Sequence, residues 1–167
     1  DVALTDDRRA MGTPNYMSPE QWISSRDVGV STDLWAMAAI LYELLTGELA
    51  FDGKDHIDLC TAILRKPPAP LAASGVKLPE GLQAIITRAL DKNATKRHAN
   101  VGELALDLAV FGGHEVEVSA ERIVGTLTAA GVTVRRPAPR PDEPLERITT
   151  QHLPSASELG VRSAQGQ

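Results

Sequence analysis

Apolar residues recur at helical spacing in several stretches of the chain, with polar, proline-rich or glycine-rich segments between them. Leu34, Trp35, Met37, Ile40, Leu41, Leu44 and Leu45, with Ala36, Ala38 and Ala39 among them, predict a helix over 34–45. It is apolar on every face, so protein must surround it. Ser31, Thr32 and Asp33 supply its start and Gly47 its stop. Ahead of it, Ser18, Pro19 and Gln21 form a helix-start signature, which predicts a short helix over 19–25. Ile57, Leu59, Cys60, Ile63 and Leu64 mark an amphipathic helix over 55–65, halted by Pro67, Pro68 and Pro70. Leu82, Ile85, Ile86, Ala89 and Leu90 mark another over 79–90. Asn100 with Glu103 reads as a capping pair opening a helix through Phe111, with Gly112 and Gly113 after it.

Beyond Gly113 the pattern changes. Residues 115–118 alternate Glu-Val-Glu-Val like an edge strand, and residues 119–130 return to helical spacing, closed by Gly131. Residues 1–11 carry no apolar period and read as a loop. From Arg135 onward, proline, serine, threonine and glutamine dominate, with too little apolar content to offset the entropy of ordering; residues 135–167 are expected to be disordered. The expected class is mainly α, one helical domain with a tail.

Composition narrows the function classes. The 167 residues carry a formal net charge of -5 with scattered arginines, so no nucleic-acid partner is expected. Cys60 is the single cysteine, which excludes an internal disulfide; it falls on the apolar face of its helix and reads as a buried, inert thiol. The longest apolar run, 34–42, is nine residues, against the roughly 18 that a membrane helix needs. No secretory leader opens the chain, which begins at Asp1 rather than Met; a cytoplasmic location and an absent beginning are expected. The four histidines show no metal-site spacing.

Three separated motifs carry a resemblance. Gly12-Thr13 followed by Tyr16-Met17-Ser18-Pro19-Glu20 is similar to the end of the activation segment of serine/threonine protein kinases. Asp33-Leu34-Trp35-Ala36 resembles the opening of that family's central helix, and the stretch from Asp91 to Arg97 resembles the segment whose arginine pairs with the motif glutamate. The chain therefore resembles a bacterial-type serine/threonine kinase over residues 1 to about 111. What the resemblance implies is the helical C-lobe portion of the protein-kinase-like fold, without N-lobe or catalytic loop. It divides the chain into a partial kinase domain (1–111), a capping extension (112–134) and the tail (135–167). Departures are Ala38 for a usual glycine, Asn93 for a proline, and no proline before Phe51.

The same resemblance implies roles. Thr13, Pro14, Asn15 and Tyr16 would line the substrate pocket, and a tyrosine at position 16 favours Ser/Thr over Tyr acceptors. Glu20 and Arg97 would pair structurally, because a planar guanidinium clasps a carboxylate in two parallel bonds. Asp33 would support the catalytic loop and Trp35 would fill core; spacing alone makes Asp33 a plain helix cap. Thr5 is a candidate phosphorylation site beside Arg8 and Arg9, with an unmodified loop threonine as the plainer reading. The helix over 55–65 would offer a docking surface. The intact relative would use ATP and magnesium on protein substrates. The phosphate loop, strand lysine, catalytic-loop aspartate and Asp-Phe-Gly that bind and use them have no counterpart in these residues, so no cofactor and no activity are expected of the chain alone. The alternative is a non-catalytic, kinase-derived interaction module.

Overall fold

The computed structural model describes residues 14–24 and 28–137. Among them are six α-helices and no strand: α1 Pro19–Ile23, α2 Val30–Thr46, α3 His56–Arg65, α4 Leu82–Ala89, α5 Val101–Ala109 and α6 His114–Ala129. Short 3-10 turns lie at Pro14–Tyr16, Leu71–Ser74 and Ala94–Lys96. The fold is mainly α, as the periodicity implied.

Local chemistry explains most boundaries. The Ser18 N–H donates to the Gln21 side chain at 2.9 Å, fixing the entry to α1. Asp55 caps α3 by accepting the Ile57 and Asp58 N–H groups at 2.9 and 2.8 Å. Gly47 ends α2 in the left-handed region at φ 74°, where its N–H reaches the Glu43 carbonyl at 2.7 Å. Two starts differ from the sequence reading. α2 begins at Val30, so Ser31, Thr32 and Asp33 form its first turn and Gly29 precedes it. α4 begins at Leu82, because Gly81 at φ 86° places a turn where residues 79–81 were expected to be helical.

The expected edge strand at residues 115–118 is the first turn of α6. Four alternating residues are too short to set a period, and Glu115 and Glu117 favour the positive end of a helix as much as they suit a strand. Asn100 caps α5 by accepting the Glu103 N–H at 3.1 Å, but the Glu103 carboxylate accepts from the Ala99 N–H at 3.1 Å and not from its cap.

α2 is the axis of the core. Its Leu34, Trp35, Ala38, Ala39 and Tyr42 are buried with Leu59 and Ile63 of α3, Ile85, Ile86 and Ala89 of α4, Leu104 of α5, and Phe51. Trp35 and Phe51 stack at 5.2 Å between ring centroids. A second, smaller cluster joins Leu106 and Ala109 of α5 to Ala120 and Val124 of α6, with Val134 beside it.

α2 is not enclosed on all sides within the described residues. Met37 and Ile40 are each 47% exposed and Leu44 78%. With Asp33, also exposed, their spacing of four, three and four residues puts them on one outward stripe. Cys60 is partly buried rather than buried. Arg136, at the start of the segment expected to be disordered, forks onto Glu121 at 2.6 and 2.8 Å. Residues 138–167 lie outside the described residues.

Candidate functional site

The turn Pro14–Tyr16 leads into α1, and polar contacts fasten this unit to the core at three places. The Asn15 amide donates to the Phe51 carbonyl at 3.3 Å. The Tyr16 hydroxyl donates to a carboxylate oxygen of Glu43, on α2. Ser18 and Pro19 are buried where the turn meets α1. Pro14, Asn15 and Tyr16 thus form one short ledge. Thr13 and Thr5 lie outside the described residues.

The third fastening is charged. The two nitrogens of the Arg97 fork reach Glu20 at 2.7 and 2.9 Å, across 77 positions of sequence. The arginine also donates to the Ser31 carbonyl at 2.8 Å and, through Nε, to the Asp91 carbonyl at 2.8 Å. Thr32 adds its hydroxyl to Glu20 at 2.9 Å. The side chain of Arg97 is 0% exposed and that of Glu20 14%. Four of the five N–H groups of Arg97 therefore meet a carboxylate or a carbonyl, and the guanidinium lies over the Trp35 ring, whose centroid is 4.9 Å away.

This arrangement sets the acidity of Glu20. Burial works to raise its pKa, but the hydrogen bond and charge of Arg97, a backbone N–H and the Thr32 hydroxyl together hold it at about 2. Lys92 completes the stack, its Nζ 4.8 Å from the Trp35 centroid and 3.8 Å from that of Phe51. Burial and the positive charge of Arg97 push this ammonium down to about 8, against the opposing pull of Asp91.

The carboxylate of Glu43 holds the Tyr16 phenol above its ordinary value through the hydrogen bond, and burial followed by the Glu48 charge raises that of Tyr42. Folding therefore favours the protonated phenols. Their contribution is complete below about pH 10 and is lost as the pH rises through the folded-state values. In an ultraviolet titration, neither tyrosine is expected to ionise at its ordinary pH in the folded chain. Guanidinium, or a Tyr16→Phe substitution for that residue's part, should remove the displaced phase.

Of the residues singled out from sequence, the structure brings Glu20, Arg97 and Trp35 together and sets Pro14, Asn15 and Tyr16 beside them. Asp33 is exposed in the first turn of α2, next to buried Thr32. Sequence reasoning missed Glu43, Thr32, Lys92 and the Ser31 carbonyl. Glu43 carried a signal: it is the one charged residue between Leu34 and Leu45. Thr32 and Lys92 carried none, since each is an ordinary surface type whose partner is distant in sequence.

Comparison with known proteins fits this geometry. The family model described as the protein kinase domain matches residues 4–105. The serine/threonine-protein kinase PknB of Mycobacterium tuberculosis is 32% identical over 135 residues, covering 77% of this chain and 21% of that protein. Pkn1 of Myxococcus xanthus, also a serine/threonine-protein kinase, is 34% identical over 137 residues, covering 81% and 19%. The serine/threonine-protein kinase PksC of Streptomyces coelicolor is 36% identical over 87 residues, covering 52% and 16%. The chain spans about a fifth of the length of these relatives. A family match over residues 4–105, with relatives 32% and 34% identical over about four fifths of the chain, places it in the protein kinase family, among the bacterial serine/threonine kinases.

Proposed function

We propose that this chain supplies the substrate-holding part of a serine/threonine protein kinase, whose whole protein transfers the γ-phosphate of ATP to serine or threonine of protein substrates in the cytoplasm. The observation that carries the reading is the Glu20–Arg97 fork, which ties the Pro14–Tyr16 ledge to the helical core. Thr13, Pro14, Asn15 and Tyr16 border the phosphoacceptor; Glu20, Arg97 and Trp35 hold that border rigid; Thr5 is a regulatory phosphorylation site. The kinase portion is 1–111, α6 caps it within 112–134, and 135–167 is a separate tail.

The outward stripe on α2 supports the same reading. Asp33 shares that face with Met37, Ile40 and Leu44, so a segment carrying the catalytic loop would cover apolar surface and offer backbone N–H groups to a carboxylate. Leaving several hundred Å² open costs on the order of 10 kcal/mol at about 25 cal/mol per Å², comparable with the roughly 5–15 kcal/mol that holds a domain together. The isolated chain is therefore expected to bind the dye ANS or to associate, and a cooperative, monomeric melt with no dye binding would contradict that cover. The stripe also favours a second reading, a non-catalytic module that recruits a partner through α2.

Among the described residues no group of three or more His, Cys, Asp or Glu is placed to hold a metal ion. The ATP and magnesium that the family implies are assigned to another part of the whole protein, because the phosphate loop, strand lysine, catalytic-loop aspartate and Asp-Phe-Gly that hold them have no counterpart in this sequence. Calorimetric titration of the chain with Mg-ATP is expected to give no binding heat; a clear isotherm would overturn this assignment.

A further inference from the structure

The segment 97–100 joins two halves of the fold. Arg97 holds Glu20 of α1, the Ala99 N–H holds the Glu103 carboxylate, and the Asn100 side chain caps α5 while donating to the Thr133 carbonyl at 3.0 Å. Between them sits His98, 1% exposed. Its Nε2 is 3.0 Å from an Asp107 oxygen, whereas its Nδ1 is buried with no hydrogen-bond partner. A neutral ring protonated at Nε2 satisfies this site, donating to Asp107. A second proton, on Nδ1, would leave a buried N–H unanswered, at a desolvation cost that exposure to water would relieve.

The surrounding charges divide: Asp107 and Glu103 favour that proton, and Arg88 opposes it. Arg88 of α4 spans both acidic neighbours on α5, reaching Asp107 at 3.2 Å and Glu103 at 3.3 Å, so the two carboxylates are already shared with a cation. On the segment itself, Arg97 is matched by Glu20.

We propose that His98 is a proton-operated latch: the neutral ring keeps segment 97–100 closed on α1 and α5, and uptake of one proton at Nδ1 drives the ring toward water and loosens the Arg97 hold on Glu20. His98 and Arg97 are adjacent in the chain, so a backbone movement that carries the His98 ring to water also shifts Arg97. Burial, followed by the charge of Arg88, lowers the His98 pKa against the opposing Asp107 and Glu103. The sign follows: the closed form is fully favoured above about pH 6.5, and the closed-to-open ratio falls tenfold per pH unit below it until the folded-state value is reached.

The test is an NMR titration of the full chain from pH 7.5 to 5, following the His98 ring nitrogens with the amides of Gln21, Trp22 and Glu103. The expected result is an Nε2-protonated ring at pH 7.5, a midpoint below 6.5, and amide shifts in α1 and α5 at that same midpoint. In His98→Gln, whose amide can donate to Asp107 but takes no proton in this range, those shifts should vanish. Titration of His98 at or above 6.5 overturns the latch, as do silent α1 amides while His98 takes its proton, or an unchanged transition in His98→Gln. If that variant does not fold, the wild-type titration alone decides between these outcomes. Acid loss of the Glu20–Arg97 pair itself is distinguishable, because it falls below about pH 4.5.

Discussion

Replacing Arg97 by alanine is expected to cost the fold about 3–5 kcal/mol, because it strands the largely buried Glu20 carboxylate without its partner. It also leaves the Ser31 and Asp91 carbonyls without the donor they share. Arg97→Lys should recover only part of this, since a single ammonium cannot reproduce the fork, the Nε bond and the contact with Trp35 together. Urea denaturation of both variants measures the difference, in sucrose if needed to preserve a native baseline. The pH profile supplies a second check. The folded-state pKa of Glu20 lies below its ordinary value, so the stabilisation is present above about 4.5 and is lost as the pH falls toward about 2. Arg97→Ala should flatten that part of the profile, and a wild-type profile already flat between those values would contradict the charged pairing.

Trp35→Ala is expected to cost about 3–5 kcal/mol by leaving a cavity at the centre of the core. Trp35 is 0% exposed, stacks on Phe51, and carries Lys92 and Arg97 at its faces. Its loss therefore reaches the site as well as the core. Arg97→Ala and Trp35→Ala should combine non-additively, with a coupling of about 0.5–3 kcal/mol in a double-mutant cycle. Trp35→Phe, which keeps a ring against Phe51, should cost less than the alanine variant. A purely additive cycle would mean that the guanidinium and the ring are held independently.

Helix positions were legible because apolar residues recur every three or four positions, as Leu59, Ala62 and Ile63 do on the buried face of α3, although Ile57, also read as part of that pattern, is 77% exposed. Where the pattern was short it misled: Val116 and Val118 alternate with glutamates, yet among the described residues no strand pairs with them, and α6 takes them. The α2 start was displaced by four residues because Gly29 supplies the extended residue before the helix and Thr32 turns inward, its hydroxyl spent on Glu20. That inward turn is a tertiary event with no local signature.

The site divides in the same way. Glu20 and Arg97 are 77 positions apart, and their chemistry alone would not have matched them among 17 basic and 22 acidic residues; the family resemblance did. Their supporting groups were not legible by either route. The Ser31 and Asp91 carbonyls are backbone atoms, invisible to side-chain motifs, and Lys92 gains its role only when the chain lays it over two rings from distant segments.

The central claim is that this chain holds the substrate for a catalyst carried elsewhere in the whole protein. The most direct measurement is phosphate transfer by a chimera in which a bacterial serine/threonine kinase of the family keeps its own catalytic residues and receives residues 12–111 of this chain. The expected result is ATP-dependent labelling of serine or threonine in a protein substrate, lost on Arg97→Ala. A folded chimera that binds Mg-ATP but labels no serine or threonine would contradict it.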